Sequence, residues 1–368
     1  MNGPNARPIT REIVTRRGGR VKECDTIGAM LNPKPDGRRK TVDGNRQSST
    51  VRRLPPRPAP PRSAPRSLVT RRPRSSLAPL FQFGLGYVLG FFGGLIALIA
   101  ALLLFPPPRT NILLMGLDRR PGDTTFVSRT DTLILMTIHP QQNYAGMLSI
   151  PRDLWMTLPD GNANRINAAH FFAEADTPGN GPSATVQTVQ SNFGVDVHHF
   201  VRIDFAGFVQ IVDAVGGIDV DVPAPLIDYE YPTYDYGVTT VEFAAGPQHM
   251  DGERALAYAR IRHGSSDFLR AARQQLVIQA FIARLTQPGA WVRLPALLSA
   301  IGSSVTTDLT PLDMLRLAPT LLRVGPANLD RRVIEGALVQ PYTTEGGASV
   351  QLPVWEQINP VLMEMFGQ

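Results

Sequence analysis

Five charged side chains within residues 118–153 could together bind a metal ion or an anionic ligand. Each of them lies near the end of a short apolar run of the kind that predicts a buried strand. If these strands pair with one another, the charged residues meet at one edge of a sheet. Three carboxylates and two guanidinium groups at one edge differ from a solvated surface, where charges of both signs are scattered. The residues are Asp118, Arg129, Asp131, Arg152 and Asp153.

A second charged group follows in the segment 255–263, which reads Ala-Leu-Ala-Tyr-Ala-Arg-Ile-Arg-His. If this segment enters a strand near its end, Arg260 and Arg262 share one face. The alternative is that these arginines and Arg270 form surface ion pairs with acids such as Asp251 or Glu253. Three arginines on one short turn favour anion binding over that alternative.

A long helical pattern begins at Asp267. Asp267, Arg270 and Gln274 fall on one side of the predicted helix, about one turn apart. Arg273 points elsewhere, which suits packing or a salt bridge. The expected apolar stripe consists of Leu269, Ala272, Leu276, Ala280 and Ala283.

The elements that must position these residues are strands and helices in alternation. Residues 111–116, 132–138 and 145–150 predict three buried strands, and the short link between the last two suits an antiparallel hairpin. Residues 182–193 and 205–215 predict helices, and residues 218–222 alternate like a half-buried strand. This order indicates a mixed α/β sheet that is covered on both faces.

The chain is divided by an uncharged run between Arg74 and Arg109. Within it, residues 83–105 are apolar and long enough, at roughly 1.5 Å per residue, to cross a bilayer core about 30 Å thick. We interpret this segment as one transmembrane signal anchor, since an n-region of this length and the prolines that follow do not suit a cleaved signal peptide.

Charge is distributed unevenly about that segment. Residues 1–80 contain 19 Lys and Arg against 5 Asp and Glu, whereas the remainder contains 18 against 26. Because positive flanks stay cytoplasmic, the expected topology is a cytoplasmic N-terminus and an extracytoplasmic domain in the cell membrane. The tail, residues 1–80, is rich in Arg, Pro and Ser and is expected to be disordered. An orientation signal that touches anionic lipid explains it better than a nucleic-acid arm, so no nucleic acid is expected as a partner.

Three smaller sequence features bear on dimer formation, stability and metal binding. Gly86, Gly90 and Gly94 repeat every fourth residue and would permit, without requiring, a homodimer through the membrane helix. The single cysteine lies in the tail, so the outer domain is stabilised by packing alone. Three histidines make no metal-ligand pattern, and ordinary surface or packing roles suit them better; they are His170, His198 and His199.

Five motifs follow one another along the chain: residues 111–118, Arg129-Thr130-Asp131-Thr132, Ser149-Ile150-Pro151-Arg152-Asp153, Arg165-Ile166-Asn167-Ala168-Ala169 and residues 257–274. In this order they resemble the LytR-CpsA-Psr family. The match covers residues 109–290 behind a signal anchor, and residues 291–368 resemble the C-terminal portion of the same domain. The resemblance implies an α/β/α sandwich with a mixed central β-sheet and an apolar pocket for a lipid tail.

The resemblance also implies an activity. Members of this family attach anionic glycopolymers, such as teichoic acids or capsule, to peptidoglycan, and they take the polymer from a polyprenyl pyrophosphate carrier. The chain is therefore expected to be a phosphotransferase that uses Mg²⁺. A peptidoglycan hydroxyl would be the nucleophile, and polyprenyl phosphate would be the leaving group.

Residue roles follow from the same resemblance. Asp118 and Asp131 match the acids that help to position Mg²⁺, and Gln274 matches a polar residue of the site. Asp267 matches a second polar residue, and we expect it to accept the proton of the nucleophile. The pyrophosphate-binding arginines, of which Arg129 and Arg152 are also expected to be catalytic, are Arg129, Arg152, Arg260, Arg262 and Arg270.

Two other functions remain open on the sequence alone. A hydrolase that cleaves the same pyrophosphate with water would use the same metal and arginines. A noncatalytic binding or regulatory module would need none of the chemistry. Product analysis with and without peptidoglycan separates the first alternative, and loss of transfer after Arg152→Ala with lipid binding retained excludes the second.

Overall fold

The computed structural model describes residues 87, 89–97, 100, 101, 105–119, 127–234, 237–261 and 267–367. They belong to one compact unit that begins at Ser75. The predicted disordered tail and Gly86 lie outside the described residues, and the predicted membrane segment 83–105 lies partly outside them. Within the described part, no helix is both long enough and apolar enough to cross a membrane.

Fourteen strands are present among the described residues, and six of them form the central sheet in the order β11-β6-β1-β2-β3-β12. The strands are β1 (Thr110–Leu117), β2 (Thr130–His139), β3 (Tyr144–Ile150), β4 (Trp155–Thr157), β5 (Ala163–Arg165), β6 (His199–Asp204), β7 (Ile218–Val222), β8 (Leu226–Pro232), β9 (Val238–Phe243), β10 (Gly246–Met250), β11 (Val305–Thr307), β12 (Asp330–Val333), β13 (Val339–Thr343) and β14 (Ser349–Pro353).

Among the described residues from 110 onward there are nine α-helices, of which the first eight lie between strands and the ninth follows β14. They are α1 (Ala168–Asp176), α2 (Gly181–Phe193), α3 (Phe205–Ala214), α4 (Gly252–Arg260), α5 (Asp267–Thr286), α6 (Pro288–Trp291), α7 (Leu294–Ser304), α8 (Pro311–Val324) and α9 (Trp355–Phe366).

The central sheet is mixed, as the sequence predicts. Strand β2 pairs antiparallel with both β1 and β3, whereas β6 is parallel to β1 and β12 is parallel to β3. The β2–β3 connection is a single 3₁₀ turn at residues 140–142, closed by Asn143 with a φ of 50°. The three predicted strands and the antiparallel pairing of the last two are confirmed, and the first strand also pairs antiparallel with the second.

Side chains alternate along these strands and build a hydrophobic cluster on each face of the sheet. On one face, Leu113 and Leu148 pack in a cluster with residues of α2 and α9. On the other face, Ile112 and Ile134 pack with Ile282 of α5 and with a leucine of α8. Helices therefore cover both sides of the sheet, and the mixed α/β fold is confirmed. Because β12 and α9 are part of these layers, the C-terminal portion packs into the same domain.

Residues 255–260, the start of the segment predicted to enter a strand, are instead helical. Helix α4 spans Gly252–Arg260, and Asp251 caps it by accepting a hydrogen bond from the backbone N–H of Arg254 at 2.8 Å. Alanine and leucine favour a helix, and the residues from Ala255 to Ala259 are buried against α3 and α5. Arg260 therefore projects from the last turn of a helix, and Arg262 lies outside the described residues.

Helix α5 begins at Asp267 as predicted, but its expected apolar stripe is wrong at its start. Leu269 is 54 % exposed, whereas Arg270, Arg273 and Gln275 are buried. The first half of the helix lies between the charged site and the sheet, so its buried positions carry polar groups with specific partners. Gln275, for example, donates to the Oγ of Ser149 and to the backbone carbonyl of Arg332, both at 2.8 Å.

Candidate active site

One edge of the central sheet gathers the charged residues of the first three strands. The register pairs Leu117 with Thr130 and Leu133 with Ile150, so the end of β1, the start of β2 and the end of β3 are neighbours. The residues just beyond or at these ends line one open cavity; they include Asp118, Arg129, Asp131 and Arg152. Four of the five residues predicted to converge at this edge therefore line one cavity, whereas Asp153 does not line it.

Helix α5 adds a polar row to this edge. Asp267, Arg270 and Gln274 line a small enclosed cavity together with Asp131 and Arg152. The Nη1 of Arg152 donates to Asp131 at 3.0 Å, and its Nε donates to Asp267 at 3.3 Å. The Nη1 of Arg270 lies 2.9 Å from the other carboxylate oxygen of Asp267. Four side chains thus form a continuous row of alternating charge between the sheet and the helix.

The two carboxylates of this row keep the Arg152 guanidinium protonated. Burial by itself would lower the pKa of Arg152, but the carboxylates of Asp131 and Asp267 raise it above its ordinary value. The guanidinium therefore stays charged and holds the two carboxylates in place. A phosphate group that enters the site would compete with these carboxylates for the same N–H donors.

Arg260 reaches the site between two aromatic rings that the sequence did not single out. Its guanidinium carbon lies 4.1 Å from the centre of the Phe205 ring and 5.4 Å from that of Tyr231. Its Nη1 also donates to the hydroxyl oxygen of Tyr231 at 3.0 Å. Burial raises the pKa of that hydroxyl, so it stays protonated at neutral pH. The rings and the hydroxyl fix the direction of Arg260 without neutralising its charge.

Arg129 is exposed and lies 5.8 Å from the ring of Phe171 on α1. The preceding residue of α1, His170, is fully buried, and its Nδ1 is 2.9 Å from the carbonyl oxygen of Ser128. Burial is the main cause that lowers the pKa of His170. Its Nε2 faces Arg202, which can only donate, so the neutral ring carries its proton on Nδ1 and donates it to Ser128. Helix α1 therefore holds the backbone next to Arg129.

A buried ion pair lies beside His170, on the side of its Nε2. Arg202 of β6 and Glu174 of α1 lie 3.4 Å apart with both side chains buried. Glu174 also accepts hydrogen bonds from the backbone N–H groups of Gly179 and Gly181, both at 2.9 Å. Sequence reasoning missed this network because its members are far apart along the chain. Among the three histidines, His170 is thus a buried structural residue.

The other two histidines also have ordinary partners. The Nδ1 of His198 accepts from the backbone N–H of Asn111 at 3.1 Å, and His199 lies 3.5 Å from Asp308. Within the described ranges, there is no group of three or more His, Cys, Asp or Glu placed to hold a metal ion.

An apolar cavity of about 290 Å³ opens directly from the charged site. Its walls are hydrophobic residues of β1, β2, α3 and α5, such as Leu114 and Phe281, and its mouth is formed by polar residues of the site. Asp131, Arg260 and Gln274 line both this cavity and the adjacent polar chamber, which also contains Asp118 and Arg270. The combined volume therefore suits a ligand with an anionic head and an apolar tail.

The placement of Asp118 and Asp131 fits a Mg²⁺ ion that a bound phosphate group would also hold. Both carboxylates line the same polar chamber and also the open cavity beside Arg129. Mg²⁺ usually keeps several waters and is held by one or two carboxylates together with substrate phosphates. Asp228 and Glu230 line the same chamber, so it contains four acids. Of these, Asp118 and Asp131 fit a cation that is shared with a bound phosphate group.

The sequence matches the LytR_cpsA_psr family over residues 108–365. The chain is 36 % identical over 261 residues to a protein of Oceanobacillus iheyensis named polyisoprenyl-teichoic acid–peptidoglycan teichoic acid transferase TagU, with 70 % of this chain and 75 % of that protein covered. A protein of Halalkalibacterium halodurans with the same name is 33 % identical, with 61 % and 69 % covered.

A solved structure agrees with this assignment. The crystal structure of TagV from B. subtilis superposes with a TM-score of 0.56 at 27 % identity, covering 71 % of this chain and 98 % of that one. The domain is thus a mixed α/β fold in which a charged site opens into an apolar cavity. The chain belongs to the LytR-CpsA-Psr family, and the names of its relatives agree with the expectation of a transferase.

Proposed function

We propose that this chain is a phosphotransferase that moves an anionic glycopolymer from a polyprenyl pyrophosphate carrier to a hydroxyl group of peptidoglycan. The observation that carries the proposal is the continuity of the two cavities. Asp131, Arg260 and Gln274 line both the apolar cavity and the charged chamber. A lipid pyrophosphate has the matching order of groups, and the names of the relatives supply the polymer class and the acceptor.

The four described arginines would neutralise the pyrophosphate. Displacement at phosphorus is catalysed mainly by positioning and by compensating the charge on the equatorial and leaving oxygens. Arg152 and Arg270 approach from the α5 side, Arg260 is fixed by its aromatic partners, and Arg129 stands at the open rim. Arg262 is proposed as a fifth ligand from the resemblance alone, because it lies outside the described residues.

Asp118 and Asp131 are the proposed holders of Mg²⁺, which when bound would add charge compensation on the phosphate oxygens. Asp131 already accepts from Arg152. A phosphate oxygen that takes over this donor would remove one of the contacts that the Asp131 carboxylate makes.

Asp267 is the proposed proton acceptor for the attacking hydroxyl. The hydroxyl oxygen would form a bond to the phosphorus that carries the polymer, the bridging P–O bond would break, and polyprenyl phosphate would leave. Both oxygens of Asp267 contact arginines, at 3.3 Å from Arg152 and 2.9 Å from Arg270. Substrate phosphate must replace these contacts before the carboxylate is free to accept a proton.

Segment 83–105 is proposed as the membrane anchor, with residues 1–80 cytoplasmic and the domain outside. The arguments are the apolar run and the charge asymmetry of the sequence. Gly86, Gly90 and Gly94 remain a proposed contact for a second copy.

The proposal is tested by mass spectrometry of lipid extracted from the purified full chain. We expect polyprenyl pyrophosphate to copurify with the wild type and to be lost from Arg260→Ala. The matched control is Arg254→Ala, which removes an arginine of the same helix that lies over the Phe243 ring, away from the site. Equal lipid in both variants, or none in the wild type, would refute the assigned binding site.

A hydrolase is the competing function for the same residues. It would release the polymer phosphate with water as the nucleophile, and peptidoglycan would not affect the yield. Transfer that requires peptidoglycan and is lost in Arg152→Ala while the lipid stays bound would exclude both hydrolysis and a purely binding role.

A further inference from the structure

The end of the domain opposite the charged site is defined by two elements. Strand β1 enters the sheet there at Thr110, and α5, which starts at the site with Asp267, ends there with Thr286. Ile112 and Ile282, near these two termini, belong to one hydrophobic cluster. The backbone carbonyl of Val215, just after α3, accepts from Arg284 at 3.1 Å, so α3 ends in the same region.

Four large apolar side chains are exposed immediately after the end of α5. They are Trp291 (65 % exposed), Val292 (85 %), Leu294 (48 %) and Leu298 (54 %), and we call them the Trp291 patch. The indole N–H of Trp291 donates to the backbone carbonyl of Leu285 at 3.2 Å, which fixes the ring to the end of α5. Four such side chains within eight residues are more than scattered surface apolar residues and indicate an interaction surface.

The charge of the surrounding sequence favours an anionic partner. Residues 268–307 contain no Asp or Glu, although the chain after residue 80 contains 26 such residues against 18 Arg. Arg293, within the patch, is exposed. A tryptophan and aliphatic side chains next to an arginine are typical of the boundary between lipid headgroups and acyl chains.

The position of the patch relates it to the membrane. The apolar segment ends at Phe105, five residues before Thr110, and five extended residues span at most about 17 Å. If this segment crosses the bilayer, the start of β1 is held within that distance of the bilayer surface. The end of the fold that carries the Trp291 patch is then the end next to the lipid.

We infer that the Trp291 patch docks on the outer surface of the bilayer, with the indole and the aliphatic side chains at the acyl boundary and Arg293 at the lipid phosphates. This inference rests on the proposed membrane anchor. It also deepens the proposed function, because the apolar cavity extends to Ile211 and Phe281, near the ends of α3 and α5. A lipid tail that leaves the cavity between these helices would emerge beside the patch and pass directly into the bilayer.

Tryptophan fluorescence in vesicles tests the docking directly. The chain has three tryptophans, so the full-length protein with Trp155→Phe and Trp355→Phe retains only Trp291. The protein is reconstituted in vesicles of phosphatidylcholine and phosphatidylglycerol, with or without brominated acyl chains. The matched control lacks all three native tryptophans and carries Leu269→Trp, at an exposed position in the first turn of the same helix α5. That position lies about 24 Å along the helix axis from Leu285 at 1.5 Å per residue.

We expect brominated lipid to quench Trp291 at least threefold more than the control tryptophan, and aqueous acrylamide to quench the control more. Equal quenching of the two by acrylamide, with no effect of brominated lipid on Trp291, would overturn the docking. Protection of Trp291 from both quenchers would also overturn it, because a second copy of the chain would then cover the patch. If the two Phe substitutions prevent folding, the difference between the wild type and Trp291→Phe gives the same quantity.

Flotation of the same vesicles tests whether the chain is anchored in the membrane. A chain that does not float with the vesicles would refute the anchor and the docking together, whereas a floating chain with an unquenched Trp291 would refute the docking alone. Neither result depends on transfer activity, so failure of the docking is distinct from failure of the proposed enzyme.

Discussion

Tyr231→Phe isolates the contact that orients Arg260. The substitution removes the hydroxyl that accepts from the Arg260 Nη1 at 3.0 Å, and it keeps the ring that lies 5.4 Å from the guanidinium. A hydrogen bond to a charged group contributes about 1.5–3 kcal/mol. Because the Tyr231 side chain is only partly buried, we take the lower end of this range, about 1.5 kcal/mol, which corresponds to a change of slightly more than tenfold.

The assay is transfer of a labelled glycopolymer from its polyprenyl carrier to peptidoglycan. We expect kcat/KM to fall about tenfold in Tyr231→Phe, since Arg260 would lose the hydrogen bond that directs it toward the pyrophosphate and keep only its ring contacts. The control is Tyr229→Phe on the same strand, where the side chain is 69 % exposed. The thermal midpoints of both variants should stay close to that of the wild type. Equal transfer by the two variants would refute the role given to the Tyr231 hydroxyl.

Three further predictions concern the surroundings of the site. Burial lowers the pKa of His170 below 6.5, so the unfolded chain takes up a proton on this ring at a higher pH than the folded chain does. The free energy of unfolding should therefore decrease as the pH falls below 6.5. Between pH 7.5 and 5.5, urea unfolding should show a smaller decrease in this free energy for His170→Gln than for the wild type. Gln275→Leu should lower the free energy of unfolding by about 1–3 kcal/mol, since it leaves buried acceptors on Ser149 and Arg332 without their donor. The control is Gln357→Leu on the exposed side of α9. Equal free energies of unfolding for the two variants would contradict the role given to Gln275. Ala259→Phe should fill much of the apolar cavity and reduce the copurified polyprenyl lipid, whereas Ala175→Phe, at an exposed position of α1, should not. Lipid retained at the wild-type level by Ala259→Phe would show that the tail binds elsewhere.

The parts of the fold that follow from local pattern were predictable. Apolar runs that end at charged residues identify β1, β2 and β3, and the short hairpin fixes the antiparallel register that brings Asp118, Asp131 and Arg152 together. The spacing of three and four residues in α5 likewise places Arg270 and Gln274 near Asp267 without knowledge of the tertiary structure.

The parts that depend on distant contacts were not predictable. Arginines two residues apart suit one face of a strand, but the alanine-rich segment before Arg260 packs as helix α4 against α3 and α5. Phe205 and Tyr231 contact Arg260 only because α3 and β8 lie beside the end of α4, and nothing in their own sequence neighbourhoods indicates this. The pairing of His170 with Arg202, 32 residues away, is of the same kind.

The most direct test of the central claim is the identity of the products. The full chain in vesicles is incubated with a polyprenyl-pyrophosphate glycopolymer, Mg²⁺ and peptidoglycan, and both products are analysed by mass spectrometry. We predict equimolar polyprenyl monophosphate and polymer joined to a peptidoglycan hydroxyl by a phosphodiester bond, with both products lost in Arg152→Ala. Polyprenyl monophosphate formed with free polymer phosphate, at the same rate with or without peptidoglycan, would contradict the account.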